Sequence, residues 1–139
     1  MPHRTLLVVE DDETIRGLLV EYFREHCGVD VDVARDGAEA LHRLAEADYS
    51  VVILDLMMPH MSGIDFLDSL EALSSDPSLK ALDEPPAVIV ITSMPDETIA
   101  ACDIENRFPS IVRGVLRKPL DVAALAQSVG ALLQRAEAR

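Results

Sequence analysis

Four apolar runs, each leading into a polar residue of distinct chemistry, constrain this chain more than any other feature. Leu6-Leu7-Val8-Val9 leads into Glu10 and Asp11, and Val51-Val52-Ile53-Leu54 into Asp55. Val88-Ile89-Val90-Ile91 leads into Thr92, and Val115-Leu116 into Arg117 and Lys118. Runs of Val, Ile and Leu without polar alternation are the pattern of strands buried on both faces, as in parallel sheets covered by helices. In an open parallel α/β sheet the functional crevice lies at the carboxyl ends of the strands. Asp11, Asp55, Thr92 and Lys118 are therefore expected along one edge. Two acids, a hydroxyl and an amine there can hold a divalent cation and stabilise a phosphoryl group on a carboxylate.

Between these runs the apolar period changes from two to about 3.6 residues. The strands expected are Thr5–Val9, Asp30–Ala34, Val51–Leu54, Ala87–Ile91 and Gly114–Leu116. The second alternates Val31 and Val33 with acids, as an edge strand does. Helices are expected over Glu13–His26, Ala38–Ala47, from Ser62 through Leu73, over Asp96–Asn106 and from Asp121 to Ala136. The first should bury Ile15, Leu18, Leu19, Tyr22 and Phe23 and end at a left-handed Gly28. Ser62 reads as an N-cap with Asp65 imitating a capping box. Ser74–Pro86 reads as a surface loop. Strict β/α alternation with short connections implies right-handed crossovers and a doubly wound parallel sheet. The expected order is 2-1-3-4-5, with strands one and three adjacent at the topological switch point.

The 139 residues suit one domain, 1–139. Nothing after the last helix accommodates a second one, so output through protein contact is expected. Twelve basic residues against 25 acidic ones give a net charge of −13. Such a surface repels phosphate backbones and argues against direct nucleic-acid binding. No apolar run approaches the roughly 20 residues that span a bilayer, and the N-terminus enters the first strand without a signal-peptide pattern. Cys27 and Cys102 lack metal-type spacing. Together these point to a cytoplasmic protein without membrane attachment.

At the switch point Asp11 and Asp55 should lie close enough to need a cation or proton between them. Hard carboxylate oxygens with open water positions suit Mg²⁺, with Mn²⁺ as a substitute. Asp12 and Glu13 have a plainer role in favouring the start of the first helix. Asp55 is the candidate nucleophile: a carboxylate accepts a phosphoryl group to give an acyl phosphate. Lys118 offsets the added charge, and the Thr92 hydroxyl can donate to a phosphoryl oxygen. A cis Lys118–Pro119 bond would suit an inward lysine, although cis is the minority state for such bonds.

Four stretches, LLVVEDDETIR, VVILDLMMPHMSGIDFL, VIVITS and LRKPL, together resemble the receiver domain of two-component response regulators. The resemblance covers nearly the whole chain. It implies a flavodoxin-like, CheY-like α/β fold of five strands and five helices, and phosphorylation of Asp55 by a histidine kinase or phosphotransfer protein. It implies Mg²⁺ held by Asp11, Asp55 and the backbone carbonyl of Met57, with Glu10 contacting it through water. Thr92 and Lys118 take the signalling roles, and a downstream protein reads the changed surface. The chain would be a monomer or weak dimer, and a phosphoacceptor with slow self-dephosphorylation rather than an enzyme. The alternative reading is the receiver piece of a larger response regulator or hybrid kinase.

Three departures stand out. Val115 occupies the usual aromatic position three before the lysine. The segment between Asp55 and Thr92 is several residues longer than the family pattern. Phe108-Pro109 replaces the small residues usual before strand five. Met57 and Met94 would flank the phosphoryl group, and neither orients an attacking water, so a long-lived phosphoryl aspartate is expected. Two rival readings fare worse. A haloacid dehalogenase-like phosphatase needs an acid at the Met57 position. A flavodoxin-like cofactor binder needs a phosphate-cradling loop where Glu10-Asp11-Asp12 would repel phosphate.

Overall fold

The computed structural model describes residues 5–47, 49–56, 63–75, 86–92, 101–119 and 121–137. The five strands are β1 (Thr5–Val9), β2 (Asp30–Ala34), β3 (Val51–Asp55), β4 (Ala87–Thr92) and β5 (Val112–Arg117). They alternate with α1 (Glu13–Cys27), α2 (Gly37–Glu46), α3 (Gly63–Ser75), α4 (Ala101–Arg107) and α5 (Val122–Glu137). All strand pairs are parallel, in the order β2-β1-β3-β4-β5.

The uniformly apolar strands have a simple cause. Successive side chains point to opposite faces, and both faces are covered. Leu6, Val8, Val51, Ile53, Ile89 and Ile91 pack with Leu19 and Phe23 of α1 and Leu125, Val129 and Leu133 of α5. Leu7, Val9, Val52, Leu54, Val88 and Val90 pack with Leu44 of α2, Phe66, Leu67 and Leu70 of α3, and Ile104 of α4. Two cores thus cover the two faces of one sheet and leave the polar residues to its C-terminal edge.

Local signals set the helix ends. Asp12 Oδ1 accepts from the amides of Thr14 (2.9 Å) and Ile15 (3.1 Å), capping α1. Gly28 closes α1 at φ 60°, the left-handed conformation that glycine adopts without a Cβ penalty. Asp36 caps α2 through the Glu39 amide at 2.9 Å, and Asp121 caps α5 through the Ala124 amide at 3.2 Å. Ser62 lies outside the described residues, as do Asp96–Ala100 of the expected fourth helix and residues 76–85 of the expected long loop.

Three expectations are corrected. Leu18 is 61% exposed, because one step of about 100° from Leu19 turns it off the buried stripe. Helix α3 runs on to Ser75, into the segment read as loop. Strand β5 is longer than Gly114–Leu116, since Val112 pairs with Val88 ahead of a register shift that leaves Arg113 extra. Such a bulge bends an edge strand. Phe108, at the site of the family departure, is buried in the core beneath α4 and starts the turn into β5 by accepting the Val112 amide at 2.9 Å.

Candidate functional site

The ends of β1, β3, β4 and β5 bring the expected residues together. Asp55 is the last residue of β3 and 1% exposed. The ladder with β4 continues past it, because the Leu56 amide donates to Ile91 O at 3.2 Å. Glu10 follows β1 and is fully buried, whereas Asp11 is exposed at the rim. Carboxylate oxygens of Glu10, Asp11 and Asp55 all lie within 4.8 Å of one another.

Lys118 enters from the end of β5. Its Nζ donates to Asp55 Oδ2 at 3.3 Å and forms an ion pair with Glu10 Oε2 at 3.2 Å. The Lys118–Pro119 bond is cis. The Lys118 amide donates to Thr92 O at 2.9 Å, joining the last residue of β4 to the lysine. Thr92 itself is 5% exposed. Met57, the expected carbonyl ligand, and Met94 lie outside the described residues.

Of the three clustered carboxylates, Glu10 and Asp55 contact the Lys118 ammonium. Burial, then hydrogen bonding and charge from Asp55, push the Glu10 carboxyl from its ordinary 4.5 up to about 7, against the pull of the Asp12 amide and Lys118. For Lys118, burial alone would lower the pKa, but Asp55 and Glu10 together outweigh it and raise it. Glu10 Oε2 is the one buried side-chain oxygen among the described residues with no directed hydrogen bond, despite its ion-pair contact with Lys118. A buried oxygen with an open lone pair, beside two more carboxylates and a net negative charge, fits a hard divalent cation.

The raised Glu10 pKa has a consequence for stability. Between about pH 4.5 and about 7 the folded protein holds a proton that the unfolded chain has lost, so stability falls as pH rises through that window. Glu10→Gln mimics the protonated form. In EDTA, wild type and Glu10→Gln should have similar urea midpoints near pH 5, with wild type falling behind by pH 8. A gap that does not change with pH would contradict this origin.

Two positioning features are not marked by the reading of the strand ends. Arg16 Nη1 donates to Glu10 O at 2.9 Å. Gly63, the first residue of α3, donates its amide to Leu56 O at 3.1 Å, next to Asp55. Both lie inside stretches that carry the family resemblance, and their position there was the only available signal.

Fold and site define a class: a doubly wound, CheY-like α/β domain with an acidic cluster at its switch point and a lysine facing it. The chain belongs to the response regulator receiver domain family, which matches residues 6–130. It is 31% identical over 131 residues to the sensory transduction protein RegX3 of Mycobacterium tuberculosis, covering 94% of this chain and 51% of that protein. It is 28% identical over 130 residues to response regulator RR06 of Streptococcus pneumoniae, covering 94% of this chain and 53% of that protein. The chain thus spans about half the length of these relatives. Among solved structures, the signal receiver domain of a putative LuxO repressor protein from Vibrio parahaemolyticus matches with a TM-score of 0.80 and 26% identity, covering 97% of this chain and 93% of that one. The response regulator TrrA of Thermotoga maritima, in complex with Mg²⁺ and BeF, matches with a TM-score of 0.72 and 26% identity, covering 93% of this chain and 98% of that one. No helix among the described residues is long and apolar enough to cross a membrane.

Proposed function

We propose that this receiver domain is a phosphorylation-controlled switch in which Asp55 accepts the phosphoryl group. The observation that carries the reading is the buried Asp55 carboxylate held 3.3 Å from the Lys118 ammonium and within 4.8 Å of Glu10 and Asp11 oxygens. A carboxylate oxygen of Asp55 attacks phosphorus. The bond from phosphorus to the donor, a histidine nitrogen of a kinase or phosphotransfer protein, breaks and its electron pair leaves with the imidazole. Asp11, Asp55 and the Met57 carbonyl would hold Mg²⁺, or Mn²⁺ in its place, with Glu10 contacting it through water. A cation bound there offsets the charge between the acids and the phosphoryl oxygens. Lys118 stays paired with the modified group, and the Thr92 hydroxyl donates to a phosphoryl oxygen.

The added charge is read out as a changed protein-binding surface. Val115, half-buried beside the core, replaces the aromatic side chain usual at that position in the family. The Thr92–Lys118 backbone hydrogen bond offers a route that needs no aromatic rotamer: inward movement of Thr92 pulls β5 with it. Residues 1–139 form one cytoplasmic receiver unit, a monomer or weak dimer acting on a downstream protein. Because the matched region is about half of the relatives above, the receiver part of a longer regulator is the second reading.

The test is incubation with acetyl phosphate and Mg²⁺, followed by intact-mass measurement. One phosphoryl group should be added, EDTA should prevent it, and the adduct should outlast the first minutes after donor removal. A protein that takes up no phosphoryl group at millimolar Mg²⁺ sinks the proposal, and an adduct lost within seconds sinks the expected slow hydrolysis.

A further inference from the structure

The Glu10 main chain is held from both sides. Its amide donates to Ala34 O, at the end of β2, at 3.1 Å. Its carbonyl accepts from Arg16 Nη1 at 2.9 Å, across from α1. The peptide that follows joins Glu10 to Asp11, two of the three clustered carboxylates. A peptide unit is planar, so fixing its carbonyl also fixes the direction of the Asp11 amide and narrows where Asp11 can place its side chain. The anchor is itself anchored: the Arg16 amide bonds Asp12 O at 2.9 Å in the first turn of α1, which Asp12 caps. Arg16 is half-buried along the groove between α1 and β2, beside Glu13, Gly17 and Val20.

We propose that Arg16 is a positioning residue for the cation site: its guanidinium clamps the Glu10–Asp11 peptide and so holds both carboxylates ready for the ion. The inference rests on the reading of Glu10, Asp11 and Asp55 as the Mg²⁺ site. Arg16 acts through the carbonyl, as outer-shell partners of metal ligands do. Arginine suits the task because it keeps its charge and offers a rigid fork of donors. Lysine keeps the charge with a single, more mobile donor group.

Calorimetric titration of the full chain with MgCl₂ tests this, using wild type, Arg16→Met and Arg16→Lys. The Met variant keeps the apolar stem and loses the donor. Its Mg²⁺ affinity should fall about tenfold, with Lys recovering part of the loss. Loss of the arginine charge alone would raise Mg²⁺ affinity, and 0.5 M KCl screens that gain, so the deficit should be at least as large there. The Asp11 amide resonance should shift in Arg16→Met before any Mg²⁺ is added. A wild type that binds no Mg²⁺ overturns the site reading itself. A wild type that binds, with both variants binding equally well, overturns the role of Arg16 and leaves the site standing. A deficit that vanishes in salt overturns positioning as well. Should Arg16→Met fail to fold, Arg16→Lys decides: wild-type affinity and an unmoved Asp11 resonance refute the clamp.

Discussion

Asp55→Asn should lose phosphoryl uptake from acetyl phosphate by at least about a thousandfold, the order expected when a covalent nucleophile is removed. The substitution is nearly isosteric, so the fold has no reason to change. Asparagine still presents a carbonyl oxygen to Lys118, whose Nζ lies 3.3 Å from Asp55 Oδ2 in the native protein. What disappears is the anionic oxygen that attacks phosphorus. One of three clustered negative charges goes with it, so the metal-free variant should be no less stable than wild type. Intact-mass labelling, paired with urea unfolding, checks both statements. Equal labelling of the two proteins would remove Asp55 as the acceptor. A labelling loss accompanied by a collapsed urea midpoint would trace the effect to unfolding.

Gly63→Ala should cost about 2–3 kcal/mol of stability, the upper range for overpacking a close-packed site. A Cβ built on Gly63 would lie 2.6 Å from Leu56 Cα, 2.7 Å from Leu56 Cδ2 and 3.0 Å from Asp55 O. The first and last of these neighbours are backbone, which cannot swing aside as a side-chain tip can. The Gly63 amide also bonds Leu56 O at 3.1 Å, and the Leu56 amide bonds Ile91 O at 3.2 Å. Leu56 is thus pinned between α3 and β4, directly after Asp55. Making room for a methyl group therefore moves the acceptor carboxylate relative to Lys118. A displacement of about 1 Å in a reacting group can cost about 100-fold in rate. Urea midpoints report the stability change and initial labelling rates the functional one. A variant with native midpoint and native rate would show that the Leu56 segment yields more easily than its hydrogen bonds indicate.

The strand ends were the most legible part of the chain. A run such as Val51–Leu54 can be buried on both faces only in a covered sheet, so Asp55 had to emerge at an edge. β1 and β2 have the expected bounds, and Asp12, read only as favouring the start of the first helix, also caps it. Leu18 was less legible, because an apolar stripe read at 3.6 residues per turn has soft borders. The length of β5 depended on where β4 allows pairing, and Arg113 is extra in that register. The bulk of Phe108 gives no sign of its destination until α4 and β5 enclose it.

The amino-acid order determined the number of strands, their sequence in the chain and the polar residues that end them, because apolar periodicity and capping act over a few residues. Only the tertiary structure decided that Glu10, one of three adjacent acids, is the buried one, that Lys118 spans Glu10 and Asp55, and that Arg16 and Gly63 hold the segments beside them. Asp55 and Lys118 are 63 positions apart, and an electrostatic contact across that span exists only once the sheet has brought the ends of β3 and β5 to the same edge.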